Sequence, residues 1–141
     1  MNEEMDKWLT NPYVETFAYF SVAILSMIVF LALFEFVTRY SNWKEIKKGN
    51  LAVAMATGGK IFGIGNIFRF AIQSSENESI YQALIWASYG FILLLIAYII
   101  FEFLTPNYNI DNEIANDNRA IGLISMVISI ALSYVIGASI T

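Results

Sequence analysis

Three ionisable residues lie inside long apolar runs of the sequence: Glu35, Lys60 and Glu102. A charge in such a setting is costly and raises a functional question wherever it occurs. Glu35 and Glu102 each fall about three residues from the end of a run, roughly 5 Å from its edge at 1.5 Å per helical residue. At that depth a carboxylate can reach lipid headgroups or cap a neighbouring loop. It can also form a structural salt bridge, or pair with its counterpart to bind a cation or carry a proton. Lys60 is deeper, ten residues past Asn50, so roughly 15 Å in and near the middle of a bilayer. Its stem extends only ~6 Å. Two readings are therefore open for it. One is an internal ion pair with Glu35 or Glu102, or a neutral amine; the other is a position lining a water-filled cavity or pore.

A second set of polar residues sits at the ends of the runs. Asn50 and Asn118 each open an apolar stretch, where Asn is a favoured helix N-cap. Glu45 and Glu113 precede them by five residues. Each Glu–Asn pair either caps a helix or presents a polar site at the boundary. The small residues Gly59 and Gly63, and the ladder Ser125, Ser129, Ser133 and Gly137, have the spacing that lets helix backbones approach closely. Helix packing is the ordinary reading of these stripes, and a serine-lined conduit is the alternative.

The elements that carry these residues follow from composition. The 141 residues are 57% hydrophobic and 14% charged, with a mean hydropathy of +0.58. A soluble domain is nearer half apolar and about a quarter charged. Four apolar blocks, Phe17–Thr38, Leu51–Ile72, Ile80–Thr105 and Ala120–Ile140, each approach the ~20 residues a helix needs to cross the bilayer. Phe91–Phe101 shows no polar face, as a helix of a soluble bundle would. An acidic segment (1–16) is expected to precede a first hairpin (17–72), an external loop (73–79) and a second hairpin (80–141). The acidic start lacks the basic region of a cleavable signal. Arg39, Lys44, Lys47, Lys48 and Arg119 fall on one side of the spans, against Lys7 and Arg69 on the other. This places both longer loops in the cytoplasm and both termini outside.

The two halves of the chain echo each other. Phe34-Glu-Phe-Val-Thr38 recurs 67 residues later as Phe101-Glu-Phe-Leu-Thr105, and Glu45-Ile46, Asn50 and Ala52 recur 68 residues later as Glu113-Ile114, Asn118 and Ala120. The expected fold is thus an all-α integral membrane protein of four transmembrane helices formed by two tandem, parallel two-helix repeats. An even number of spans per repeat orients both copies alike, unlike the inverted repeats of many transporters. Lys60 has no charged counterpart, because Ile128 occupies its place in the second copy.

Glu45-Ile-Lys-Lys-Gly-Asn50-Leu-Ala-Val-Ala-Met-Ala-Thr-Gly58-Gly59, with its echo at Glu113–Gly122, resembles the YjfL-like family of small bacterial membrane proteins, a domain of unknown function (number 350). The likeness runs from about Phe17 to Ile140. It departs in the second copy, where Asp117 replaces Gly49 and Ser125-Met126 replaces Thr57-Gly58. The resemblance implies the fold and topology, and a setting beside membrane-stress factors, but no activity.

Several classes of chemistry are excluded. With no Cys and no His, thiolate or imidazole metal ligation and any nucleophile–histidine pair are absent. Gly58–Gly65 lies in an apolar span with no preceding strand, so it is not a phosphate loop. No enzyme, metal site, cofactor or nucleic-acid partner is expected. The expected function is a homo-oligomeric structural or interaction module of the cytoplasmic membrane, with a peripheral cytoplasmic protein as partner. The alternative is a small ion or proton conduit using Glu35, Lys60 and Glu102.

Overall fold

Apolar runs of this length have no water to satisfy their backbone groups in a bilayer, so they close their hydrogen bonds internally as helices. The computed structural model describes residues 2–76, 78–105, 107 and 109–140, whose regular structure is helical with no strand among them. The order is α1 (Asn2–Leu9), α2 (Pro12–Val37), α3 (Asn42–Lys47), α4 (Leu51–Ser74), α5 (Ile80–Leu104), α6 (Ile110–Ala115) and α7 (Arg119–Ile140). Positions 1, 77, 106, 108 and 141, which fall in the expected segments 1–16, 73–79 and 80–141, lie outside the described residues. α2, α4, α5 and α7 are each long and apolar enough to cross a membrane.

One boundary and two loops differ from expectation. α2 starts at Pro12 rather than Phe17, because Asn11 accepts the Tyr13 N–H at 3.0 Å and Pro12 has no N–H to leave unpaired. The acidic residues 1–16 hold α1 and the first turn of α2. The two longer loops are also not plain connections. Each contains a six-residue helix, α3 or α6.

Helix directions follow from which residues meet. Phe30 stacks on Phe91 and Phe34 meets Tyr98 edge to face, so α2 and α5 run the same way. Phe30 also meets Phe68, while Tyr19 and Val22 lie beside Ile72, so α4 runs opposite to α2. α4 and α7 are parallel: Gly122 faces Ala52, Gly59 faces Met126 and Gly63 faces Ser129.

Hydropathy and burial run in opposite order. α2 has the highest hydropathy, 2.5, with 11% of its span buried, whereas α4 has the lowest, 1.4, with 61% buried. The outer helix must satisfy lipid, and the central helix packs against protein. Small and polar residues such as Gly59, Lys60, Gly63 and Asn66 therefore occupy α4 at no cost to lipid solvation. The main core joins Phe30, Phe34, Ile64, Phe68, Phe91, Leu94 and Tyr98 across α2, α4 and α5. A smaller core at the loop end joins Tyr40, Ala52, Val53, Ala56, Ile110 and Ile114.

Candidate functional site

Lys60 is completely buried. Its Nζ donates to the Tyr40 hydroxyl at 2.9 Å. Three ring faces surround it, with centroids 4.8 Å away at Phe34, 4.9 Å at Tyr40 and 5.4 Å at Tyr98. Aromatic faces attract a cation within about 6 Å. The expected ion pair with Glu35 or Glu102 is not formed. Among the described residues the ion pairs join Lys48 to Glu45 and Arg119 to Asp117. The amine also lies closer to the loop end than its place in the sequence implied. Helical Cα–Cβ bonds tilt toward the N-terminus, which directs the Lys60 stem toward the start of α4, and Tyr40 folds inward to meet it.

The counter-charge comes from a residue the sequence reading passed over. Asp111 of α6 is 1% exposed, accepts the Tyr98 hydroxyl at 2.5 Å and accepts the Arg39 backbone N–H at 3.0 Å. It is electrostatically the foremost carboxylate at Lys60, ahead of Glu35. Burial pushes the Tyr40 phenol above the ordinary tyrosine range, the Asp111 carboxylate adds to this, and a hydrogen bond with Tyr98 opposes it. Tyr40 therefore stays neutral and acts as a hydroxyl. Lys60, Tyr40, Tyr98 and Asp111 thus share one buried polar cluster, with Tyr40 on the amine and Tyr98 on the carboxylate. Such an array can hold a cation away from water.

Beyond the cage the interior is filled with aromatic rings. Phe30 and Phe91 stack with centroids 4.4 Å apart, and Phe68 lies 5.6 Å from Phe30. Glu35 and Glu102 do not form a symmetric pair. The Glu35 Oε1 accepts the Asn42 N–H at 3.1 Å and so caps the first turn of α3. Glu102 instead feels Arg39 and Asp111.

The boundary residues do more than cap. Asn50 accepts the Val53 N–H at 3.0 Å, and its Nδ2 donates to the carbonyls of Ile114 and Ala115 at 3.2 and 2.9 Å. It thus joins the start of α4 to the end of α6. In return, Asp117 Oδ1 accepts the Ala52 N–H at 3.0 Å. This bond, with help from Arg119, holds the Asp117 carboxyl below its usual range. Asn118 accepts the Ile121 N–H at 3.4 Å and donates to Glu113 Oε2 at 2.7 Å. Glu113 and Asn118 are therefore a side-chain pair, whereas Glu45 turns to Lys48. Gly49 and Asp117, 68 positions apart, both have positive φ, at 87° and 61°.

The small-residue stripes lie in the α4–α7 seam. A Cβ on Gly59 would sit 2.6 Å from the Met126 Cα, and one on Gly63 would sit 3.2 Å from the Ser129 carbonyl. Gly137 lies against the Phe70 ring. Ser133 accepts from Asn66 Nδ2 at 3.1 Å. Ser125 and Ser129 are buried in the same seam, where backbone contact leaves little room for a conduit.

Residues 8–140 match the family described as Domain of Unknown Function (DUF350). The chain belongs to this family. It is 57% identical over 136 residues to the UPF0719 transmembrane protein YshE of Bacillus subtilis (strain 168), covering 96% of this chain and all of that one. It is 24% identical over 106 residues to the UPF0719 inner membrane protein YjfL of Escherichia coli (strain K12), covering 75% and 77% of the two chains. No solved structure matches it significantly. This DUF350 chain is a multi-pass membrane protein, as its four apolar helices and these relatives agree.

Two members of the cage were legible only in part. Tyr40 reads from sequence as an interfacial anchor, since it follows the first span. Tyr98 carries the only hydroxyl-bearing side chain in the otherwise apolar run Phe91–Phe101. A buried hydroxyl there needs a partner, and that was the available signal. Asp111 gave none, because an acid in a loop, here one of three with Glu113 and Asp117, is ordinarily a solvated residue.

Proposed function

We propose that this chain is a non-enzymatic structural and interaction module of the bacterial cytoplasmic membrane. It consists of two tandem, parallel hairpins, with both longer loops cytoplasmic and both termini outside. The repeat is supported by the constant 68-residue offset between α3 and α6 and between the starts of α4 and α7. The positive φ shared by Gly49 and Asp117 and the parallel α4–α7 contact support it too.

The observation that carries the functional reading is the Lys60–Tyr40–Tyr98–Asp111 array. It draws on both hairpins and ends against the stacked rings of Phe30, Phe68 and Phe91. A buried charge pair set against these rings fixes one arrangement of the helices, and the deeper polar residues Asn66 and Ser133 bond to each other in the close-packed α4–α7 seam. Its role is to hold the two loops in a defined relation, so that they can receive a peripheral partner. A homo-oligomer would be built on α2 and α5, because the small residues of α4 and α7 are occupied inside the protomer.

Ion and proton flux in proteoliposomes tests this reading. The wild-type protein is expected to match empty vesicles. Flux above that level, lost in Lys60→Leu, would replace the module with a conduit. Photo-crosslinking from Asn112 in cells is expected to capture a cytoplasmic protein, and capture only from the opposite end of the bundle would invert the orientation.

A further inference from the structure

α3 carries a face that the proposed function does not use. The helix lies between the end of α2 at Val37 and the start of α4 at Leu51, at the level where the spans leave the hydrocarbon. Its inward side is fixed: Asn42 is fully buried and Ile46 packs on the loop-end core. Its outward side presents Trp43, 59% exposed, with Lys44, Lys47 and Lys48 also exposed. Spacings of three and four place Trp43 beside Lys47 and Lys44 beside Lys48. Among the described residues only Lys48 of these three lysines has an acidic partner, Glu45 at 3.3 Å. Just below, Phe36 is 86% exposed and continues the apolar surface of α2 toward the acyl chains.

We infer that the outward face of α3 is a binding site for the headgroups of anionic phospholipids. Tryptophan is placed at the headgroup level by its amphipathic ring, and each lysine near the surface attracts anionic lipid. A soluble acidic partner would meet the lysines but leave Trp43 and Phe36 against lipid. The molecule contains its own contrast. At the same offset in α6 and its C-cap, Asn112, Ala115 and Asn116 stand where α3 and its C-cap have Lys44, Lys47 and Lys48, and Asp111 stands in place of Trp43. Only the first loop carries the site. The inference rests on the membrane location of the chain and not on the module reading.

The test uses the full chain with Trp8→Phe and Trp86→Phe, which leaves Trp43 as the remaining tryptophan. The protein is reconstituted in phosphatidylcholine vesicles containing a small fraction of brominated phosphatidylglycerol or, separately, brominated phosphatidylcholine. Quenching of Trp43 by the anionic lipid is expected to exceed that by the zwitterionic lipid by about threefold or more at equal fraction. The excess should fall toward one in Lys44→Gln/Lys47→Gln and persist in Lys44→Arg/Lys47→Arg and in Lys7→Gln. Raising salt from about 0.05 to about 0.5 M should reduce it in the unaltered loop, a reading that needs no folded variant. Equal quenching by the two lipids would overturn the inference. So would an excess that survives both the glutamine pair and high salt. Equal quenching together with a shift of Trp43 emission by soluble polyglutamate would assign the face to an acidic protein instead.

Discussion

Lys60 and Asp111 do not touch, yet they are expected to behave as one unit in stability measurements. Lys60→Met keeps the stem and removes the charge, which loses the hydrogen bond to Tyr40 and the three ring contacts. It also leaves Asp111 buried without its counter-charge. Asp111→Asn does the converse, and frees the Tyr98 hydroxyl and the Arg39 N–H from a charged acceptor. Breaking a buried pair from either side costs about 3–5 kcal/mol. Removing both charges leaves a neutral site, so the double variant should cost little more than either single one. Charges that do not touch attract by less than the roughly 4 kcal/mol of a pair about 4 Å apart at an effective dielectric of about 20, so a coupling of about 1 kcal/mol or more is expected. The assay is equilibrium unfolding of the four purified proteins in mixed micelles with increasing denaturing detergent. Additivity of the two single effects to within about 0.5 kcal/mol would falsify the coupling.

Other consequences are simpler. Gly59→Ala should destabilise the protein by about 1–3 kcal/mol, because the new Cβ meets the Met126 backbone. The adjacent Gly58→Ala, whose Cβ meets no described atom within 4 Å, should be neutral or stabilising by up to ~1 kcal/mol; thermal unfolding of the pair checks both. Asn50→Ala should cost about 2 kcal/mol, since it removes a cap and two bonds to α6. Asn118→Ala should cost about half as much by the same measurement. Asp117 has a folded-state pKa below its unfolded value. Its contribution is therefore present above the ordinary carboxylate range, near pH 4, and lost as pH falls through the folded value. Thermal unfolding between about pH 6 and pH 3 should show a decline that Asp117→Asn reduces.

The sequence was most informative where one physical term dominates. Four spans were legible because hydrocarbon demands ~20 apolar residues whatever the fold, and only the Pro12 start of α2 moved appreciably. Asn50 was legible as a cap because its chemistry is local. Gly59 and Gly63 were legible as a packing surface because small residues four apart share one helix face and let backbones approach. Lys60 was recognised as anomalous, but its partners were not, because they come from a loop, from the far end of another span and from a six-residue helix. No local pattern joins Tyr40, Tyr98 and Asp111. Glu35 and Glu102 show the converse limit: equal places in the sequence did not give them equal partners, since the backbone N–H of Asn42 reaches the first whereas Arg39 and Asp111 are the charges near the second.

The exchange of caps between the hairpins bears on how the protein is made. The first turn of α4 takes one of its acceptors from Asp117, and the end of α6 takes its donors from Asn50. Half of the shelter around Lys60 also belongs to the second hairpin, through Tyr98 and Asp111. A ribosome that has released only the first hairpin into the membrane has delivered a helix capped by Asn50 alone, with an ammonium sheltered only by Phe34 and Tyr40. Completion of the chain supplies the second cap and the other half of the shelter.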